Sequence, residues 1–484
     1  MKYILLSFTL IIIASTALAQ SYNAIKGSSY AGVEAMYNNP ASTVNSVFKW
    51  DVQLMSTQLS FSNSAFRIDN ASLNSLSNTN DFNGANPQIT NGSGSRNINS
   101  NFDFNLLNFR FKINNKNAIA FGLRLRTFDD LHADPFTYND SISSLNQFLQ
   151  INSGKTFNAY ATHSGWMEFD LNYSRVLVDN YHERFSAGIT MGYMIGLSGF
   201  HAALDNIAFS ENINPINNES YYTLTGGGAK LRYSANYDNL DSNATVRENI
   251  NNFLSGTHAA LNLNVGIEYI IKNEDSYTYT SSGHEWDLSN YSWKFGASIM
   301  DLGTNRFNYS INSFDKQVPT QKLTDTAIAS YDINSLGNLR DTLSNSFVVS
   351  HPLPSTFTIA NPTRLVVYAD KNLGHNFYAN FEATLNFFST RSQERVRTKE
   401  LNMLVLTPRW ETRVWGLYLP VQFNTQTQLW VGAAVKMGPL LIGIHRLDFF
   451  KIFSNNTQTL NGGGYVLLSI YPFSKKKEEE CPHY

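Results

Sequence analysis

The run Phe185-Ser186-Ala187-Gly188-Ile189-Thr190-Met191-Gly192-Tyr193-Met194-Ile195-Gly196-Leu197 alternates between two kinds of side chain. Phe185, Ala187, Ile189, Met191, Tyr193, Ile195 and Leu197 are apolar. Between them stand Ser186, Gly188, Thr190, Gly192 and Gly196, small or polar, with Met194 as the exception. Alternation of period two means an extended strand whose faces meet different surroundings. Length sharpens the reading, because strands of soluble sheets average about 5–6 residues and a strand tilted across a bilayer needs about 9–11. A face of Gly, Ser and Thr opposite a continuous apolar face suits a barrel with lipid outside and water or packed polar groups inside. A long strand in a soluble sandwich would look the same locally, so recurrence has to separate the two.

The pattern recurs. Phe48, Trp50, Val52 and Leu54 alternate, then slip phase to Leu59 and Phe61, which implies a bulge. Further strands are expected around 102–113, 119–125, 167–173, 259–269, 291–299, 355–371, 376–388, 402–410, 412–424, 428–437, 439–448 and 463–473. With the opening run this makes fourteen. Connections alternate between tight turns, such as Asn114–Asn117, Asp179–Glu183 and Met437-Gly438-Pro439, and long Asn/Ser-rich stretches at 65–100, 129–165, 199–256 and 303–354. Outer-membrane barrels show this asymmetry between short periplasmic turns and long outer loops. The 272–290 connection is long for a periplasmic turn and Gly228–Tyr237 could add a strand, which widens the count to 12–16. The expected fold is all-β: a transmembrane antiparallel up-and-down β-barrel of about 14 strands.

Composition agrees. Among 484 residues the net charge of −2 provides neither a nucleic-acid-binding surface nor a dominant acidic tail. Aromatics at 13% against charged residues at only 15% fit an outer surface that is not wholly aqueous. Lys2, the apolar Ile4–Ala14 and Ala17-Leu18-Ala19 read as a signal peptide over 1–19. No later run approaches 18 apolar residues, so a membrane-spanning chain of this kind must close its sheet, since lipid cannot satisfy open edges. The single cysteine, Cys481, excludes disulfides within one chain and cysteine metal sites. The division expected is signal peptide 1–19, a short N-terminal plug 20–46, barrel 47–473 and a periplasmic tail 474–484. Within the plug, Ser28 or Ser29 caps a short helix through Tyr37, and Asn39-Pro40 stops it.

Glu34-Ala35-Met36-Tyr37-Asn38-Asn39-Pro40-Ala41 resembles the start of long-chain fatty-acid transporters of the FadL type, where it belongs to an N-terminal plug. Asp301-Leu302-Gly303, Leu353-Pro354, Leu406-Thr407-Pro408-Arg409 and Gly432-Ala433-Ala434 through Gly438-Pro439 resemble uncharacterised outer-membrane barrels of the Bacteroidota, a broad group that includes barrels serving type IX secretion. The resemblance implies a Gram-negative cell outer membrane, passive uptake of a hydrophobic or amphipathic small molecule, and Asn39, Pro40 and Ala41 as plug or gate. The plainer reading of Asn39-Pro40-Ala41 is a helix stop with no part in transport.

Inward charges are the remaining clue. Arg124 and Arg126 share the polar face of the third strand, and Glu168 and Asp170 that of the fourth. Neighbouring strands lie about 4.8 Å apart, so the four can form an ion-pair ladder. Such a ladder either lines a conduit or, more plainly, fills and stiffens the barrel. Glu268 and Glu382 also point inward by parity, and each needs a cation or water, because an unpaired buried charge is costly. Trp50, Tyr173, Tyr193, Tyr269 and Trp293 point outward and read as an interfacial girdle.

No G-x-S-x-G, Walker loop or H-E-x-x-H is present; His182-Glu183 and His284-Glu285 lack the second histidine. The chain therefore reads as a non-enzyme without cofactor or metal, although its serines and histidines suffice for a triad assembled in three dimensions. Asp238-Asn239-Leu240-Asp241 reads as a solvated acidic turn rather than a calcium loop. Two functions stay open. One is uptake, with outer-membrane lipid and a hydrophobic ligand as partners. The other is a non-transporting scaffold or partner for the secretion or attachment of surface proteins. A conduit needs an apolar pocket near its outer mouth and a passage past the plug, whereas a scaffold is sealed by its own side chains.

Overall fold

The computed structural model describes residues 24–69, 86–143, 145–213, 215–216, 220–239, 244–273, 277–280, 283–317, 322–323, 349–387, 396–447 and 461–472. The expected signal peptide, the tail, and Leu240 and Asp241 lie outside the described residues.

Fourteen strands form the wall. They are β1 (Trp50–Asn63), β2 (Arg96–Asn114), β3 (Asn117–Ala133), β4 (Phe157–Asp179), β5 (Glu183–Ile213), β6 (His258–Lys272), β7 (Tyr291–Asn308), β8 (Thr356–Ala360 and Arg364–Gly374), β9 (Phe377–Asn386), β10 (Met403–Glu411), β11 (Trp415–Tyr418 and Val421–Asn424), β12 (Leu429–Val431 and Ala433–Met437), β13 (Leu440–Ile444) and β14 (Gly462–Ile470). Each pairs antiparallel with the next, and β14 pairs with β1 from Val52↔Ile470 to Phe61↔Gly462, which closes the ring. Closure leaves no edge of unpaired backbone, the condition for crossing lipid with strands. The breaks inside β8 and β11 fall at Pro362 and Pro420, which have no N–H for the ladder.

The barrel is inside-out by the standard of a soluble protein. Outward rows expose Phe121, Phe169, Leu171, Ile189, Met191, Leu261, Phe381, Leu404 and Ile442. Inward rows bury Ser56, Ser60, Asn172, Ser174, Ser186, Thr190 and Asn264. So much contiguous exposed apolar surface belongs against a membrane.

Tight turns gather at one end, here the turn end, and the long connections at the other, the loop end. The 199–256 stretch is more ordered than its polar composition suggests. β5 runs on to Ile213; its first half pairs with β6 and its second with a strand at Ser220–Tyr233 that lies outside the ring. It overlaps the extra candidate Gly228–Tyr237 only over 228–233, since Ala235–Asn239 is a 3-10 turn, and the ring still counts fourteen. The long 272–290 connection holds a hairpin, Tyr277–Thr280 with Gly283–Trp286.

Bulges interrupt the alternation at three points that matter below. In β2, Leu106 and Leu107 both face outward, with Leu107 at φ +56°. In β5, Leu197 is the extra residue between the pairs Trp166↔Gly196 and Gly165↔Ser198. In β7, Asp301 at φ +59° turns inward directly after the buried Met300.

Candidate functional site

Residues 24–46 lie inside the barrel. They form two 3-10 turns, Gly32–Tyr37 and Pro40–Asn45. Asn39 differs from expectation: it caps the second turn, its side-chain oxygen accepting from Ala41 N–H at 3.0 Å, as well as ending the first. Proline directly after the cap suits a turn, because its missing N–H would have had no partner.

The segment is held by side chains. Asn39 Nδ2 donates to the Ile267 carbonyl at 2.9 Å. Thr43 meets Asn172 at 2.8 Å and Ser174 at 2.6 Å. Glu268 accepts from Ser42 and Asn45, each at 2.7 Å, and from the Tyr368 hydroxyl. Its charge is therefore met by neutral donors where a cation or water was expected. Glu382 does find a cation, Lys26 at 2.5 Å, together with Asn38 at 2.9 Å. Nearer the turn end, Ser28 Oγ donates to Glu411 at 2.8 Å and Ser29 Oγ to the Leu288 carbonyl at 3.0 Å. Leu288, near the end of the 272–290 connection, thus helps to anchor the segment. Arg409 lies under this region, paired with Asp370 at 2.6 Å and Glu411 at 2.8 Å.

Arg124, Arg126, Glu168 and Asp170 are all buried in the lumen, but not as the simple ladder expected. Register sets Arg124 opposite Glu168, yet its guanidinium turns to the other neighbour, Asp103 of β2, at 2.9 Å. Tyr37 of the segment packs on the turned group, its ring lying 3.9 Å from the Arg124 guanidinium carbon. Arg126 pairs with Asp301 at 2.5 and 3.0 Å and only loosely with Glu168, at 3.6 Å. Asp301 also holds Arg364 of β8, which reaches Glu400 at 3.1 Å. Asp170 makes no ion pair among the described residues. The result is a lattice across the lumen from β2 to β8.

Between lattice and segment lies a small cleft of about 50 Å³, room for a few water molecules. Ile25, Ala31, Ala35, Tyr37 and Phe128 line it beside Lys26, Glu34, Asp103, Arg124, Arg126 and Arg364. Glu34 is the uncompensated member: one of its oxygens has no hydrogen-bond partner. Burial pushes its carboxyl up to about 8 against the pull of Arg124.

Asp103, Asp370 and Arg409 also face inward and are buried, as simple alternation from their outward neighbours dictates. Asp301 could not have been found that way. Parity from Trp293, Phe295, Ala297 and Ile299 sends it outward, and only the bulge reverses it.

Comparison with solved structures gives likenesses to a Pseudomonas aeruginosa FadL homologue (11% identity, TM-score 0.41, 95% of this chain and 100% of that chain). They extend to the P. putida toluene transporter TodX (8%, 0.41, 94% and 97%) and the Ralstonia pickettii toluene transporter TbuX (8%, 0.35, 90% and 92%). No curated protein matches the chain. A family profile described as "Family of unknown function (DUF5723)" matches residues 40–444, most of the barrel and the turn that begins at Pro40, and the chain belongs to that family.

Proposed function

We propose that the barrel sits in the cell outer membrane and takes up a hydrophobic or amphipathic small molecule passively, with residues 24–46 as plug and Asn39, Pro40 and Ala41 as its seat on the wall. One observation carries this reading: the cleft has the segment itself as its floor, so movement of that floor would open a way to the turn end. Among the described residues the segment pairs with no wall strand through a backbone ladder, and side-chain hydrogen bonds are cheap enough to exchange, each worth about 0.5–1.5 kcal/mol net. Apolar and cationic side chains share the lining, which suits an amphipathic solute better than a pure hydrocarbon.

Thr43 and Ser174 offer the test, because their hydroxyl oxygens are 2.6 Å apart across the plug–wall contact. A Thr43→Cys/Ser174→Cys pair should lock the segment when oxidised. Proteoliposome flux of an amphipathic dye should fall on oxidation and return on reduction. Flux equal to protein-free vesicles in both states would reject uptake. It would turn attention to the second reading, a non-transporting scaffold for surface or secretion proteins, which the lattice through Asp301 favours by closing the lumen with the chain's own side chains.

A further inference from the structure

On the opposite side of the same wall, away from the lumen, Asp129 of β3, His163 of β4 and Ser198 of β5 form a continuous hydrogen-bonded row. Asp129 Oδ1 lies 2.6 Å from His163 Nδ1, and His163 Nε2 lies 2.7 Å from Ser198 Oγ. A carboxylate can only accept, so Nδ1 carries a proton, and in the neutral form of such a ring Nε2 is the acceptor for the Ser198 hydroxyl. Ser100 Oγ donates to the other oxygen of Asp129 at 2.6 Å and fixes the carboxylate. The Tyr237 hydroxyl is hydrogen-bonded to Ser198 from above. All three groups of the row are partly exposed.

The bulge at Leu197 builds the row. Continued alternation from the inward Gly196 would point Ser198 into the lumen. The extra residue instead pairs Ser198 with Gly165, one outward position from His163. Gly165 leaves the space: a Cβ there would stand 2.5 Å from Ser198 Oγ and 3.5 Å from His163 Nε2.

Position along the wall names the substrate class. The outward rungs beneath are apolar (Phe121 with Leu171, Leu123 with Phe169, Leu125 with Met167), and the row begins two rungs above the last of them, at the loop end. Groups there meet the polar boundary of a membrane whose chains lie along those rungs. Phe200 and Tyr237 add an apolar flank beside Ser198.

We propose that Ser198, His163 and Asp129 are a hydrolytic triad on the outer wall, acting on carboxylic esters of acyl amphiphiles. Ser198 Oγ attacks the ester carbonyl carbon while its proton passes to His163 Nε2, whose positive charge Asp129 stabilises. The oxyanion receives the Tyr237 hydroxyl as donor. Collapse breaks the bond to the leaving alcohol, which takes the proton from His163. Water, deprotonated by His163, then attacks the acyl-serine, and the carboxylic acid leaves as Ser198 regains its proton. One ester and one water give one acid and one alcohol. The site is independent of uptake, since it lies on the other face of the wall, and a locked plug leaves it unchanged.

The test uses the full chain folded in detergent micelles. A fluorophosphonate probe should modify Ser198, located by peptide mass spectrometry, and pre-labelling should abolish hydrolysis of 4-nitrophenyl butyrate. Ser198→Ala and His163→Gln should each lower turnover at least about 100-fold, and Gly165→Ala should lower both labelling and turnover while keeping every triad group. Hydrolysis of phosphatidylethanolamine in mixed micelles would identify the source as membrane lipid; cleavage of the butyrate ester alone would identify it as a soluble ester. A folded wild-type barrel with no adduct at Ser198, or turnover unchanged in Ser198→Ala, overturns the proposal and leaves the row as a brace between three strands.

Discussion

Gly188 of β5 and Gly266 of β6 stand opposite each other in the ladder; the Pro40–Ala41 peptide rests on the first and the Asn39 side chain with the Pro40 ring on the second. A Cβ on Gly188 would stand 2.4 Å from the Pro40 carbonyl carbon and oxygen. One on Gly266 would stand 2.1 Å from Asn39 Oδ1. The wall is bare of side chains where the luminal segment touches it most closely.

Gly188→Ala should therefore unseat the segment more than Gly266→Ala does. The first collides with backbone, the second with the end of a side chain that can rotate. A cost of about 1–3 kcal/mol is expected for the first. Limited proteolysis should cut within 24–46 faster in Gly188→Ala while the barrel itself stays resistant; equal rates in the two variants would contradict this.

Asp301 is the anion shared by Arg126 and Arg364. Asp301→Asn keeps the shape and tolerates the left-handed backbone but leaves two buried guanidinium groups under-compensated. Breaking a buried pair from one side costs about 3–5 kcal/mol. Urea unfolding in micelles should show a loss of that order, and a loss under about 1 kcal/mol would mean that Asp103 and Glu400 suffice for the two arginines.

Arg409 joins Asp370 and Glu411, and Glu411 in turn accepts from Ser28 at the start of the segment. Arg409→Ala should cost about 3–5 kcal/mol, and Arg409→Lys less, because a lysine keeps the charge but cannot reach two carboxylates in one plane. Both should raise proteolysis near Ser28. Protection identical to wild type would detach Arg409 from the seating of the segment.

Glu34 makes stability depend on pH. Its carboxyl rises from the ordinary 4.5 to about 8 on burial, so the folded chain binds more protons than the unfolded chain between those values. Its contribution is fully present below about 4.5 and is lost as pH rises through about 8, with a ceiling on the order of 5 kcal/mol. Other carboxylates titrate too, so the quantity to measure is the difference between wild type and Glu34→Gln. That difference should shift against wild type from pH 5 to pH 9, and a flat difference would refute the assignment.

Alternation, strand length and the spacing of turns determined the architecture. A period of two with one lipid face admits one inward set for each strand, and a membrane crossing without helices admits only closure. The same parity placed Arg124, Arg126, Glu168, Asp170, Glu268 and Glu382 on the polar side, where all six are buried. Partners were beyond its reach. Arg124 meets Asp103 rather than Glu168, and the ring that packs on its guanidinium, Tyr37, comes from far away in the chain. Asp301 and Ser198 face opposite to their parity because one extra residue in a strand reverses every side chain after it, and such a bulge leaves no mark in hydrophobic pattern where the neighbouring residues are small. Sequence alone determined which face each regular strand shows to lipid; only the tertiary structure, through bulges and the packing of a segment against glycines, decided which charges meet.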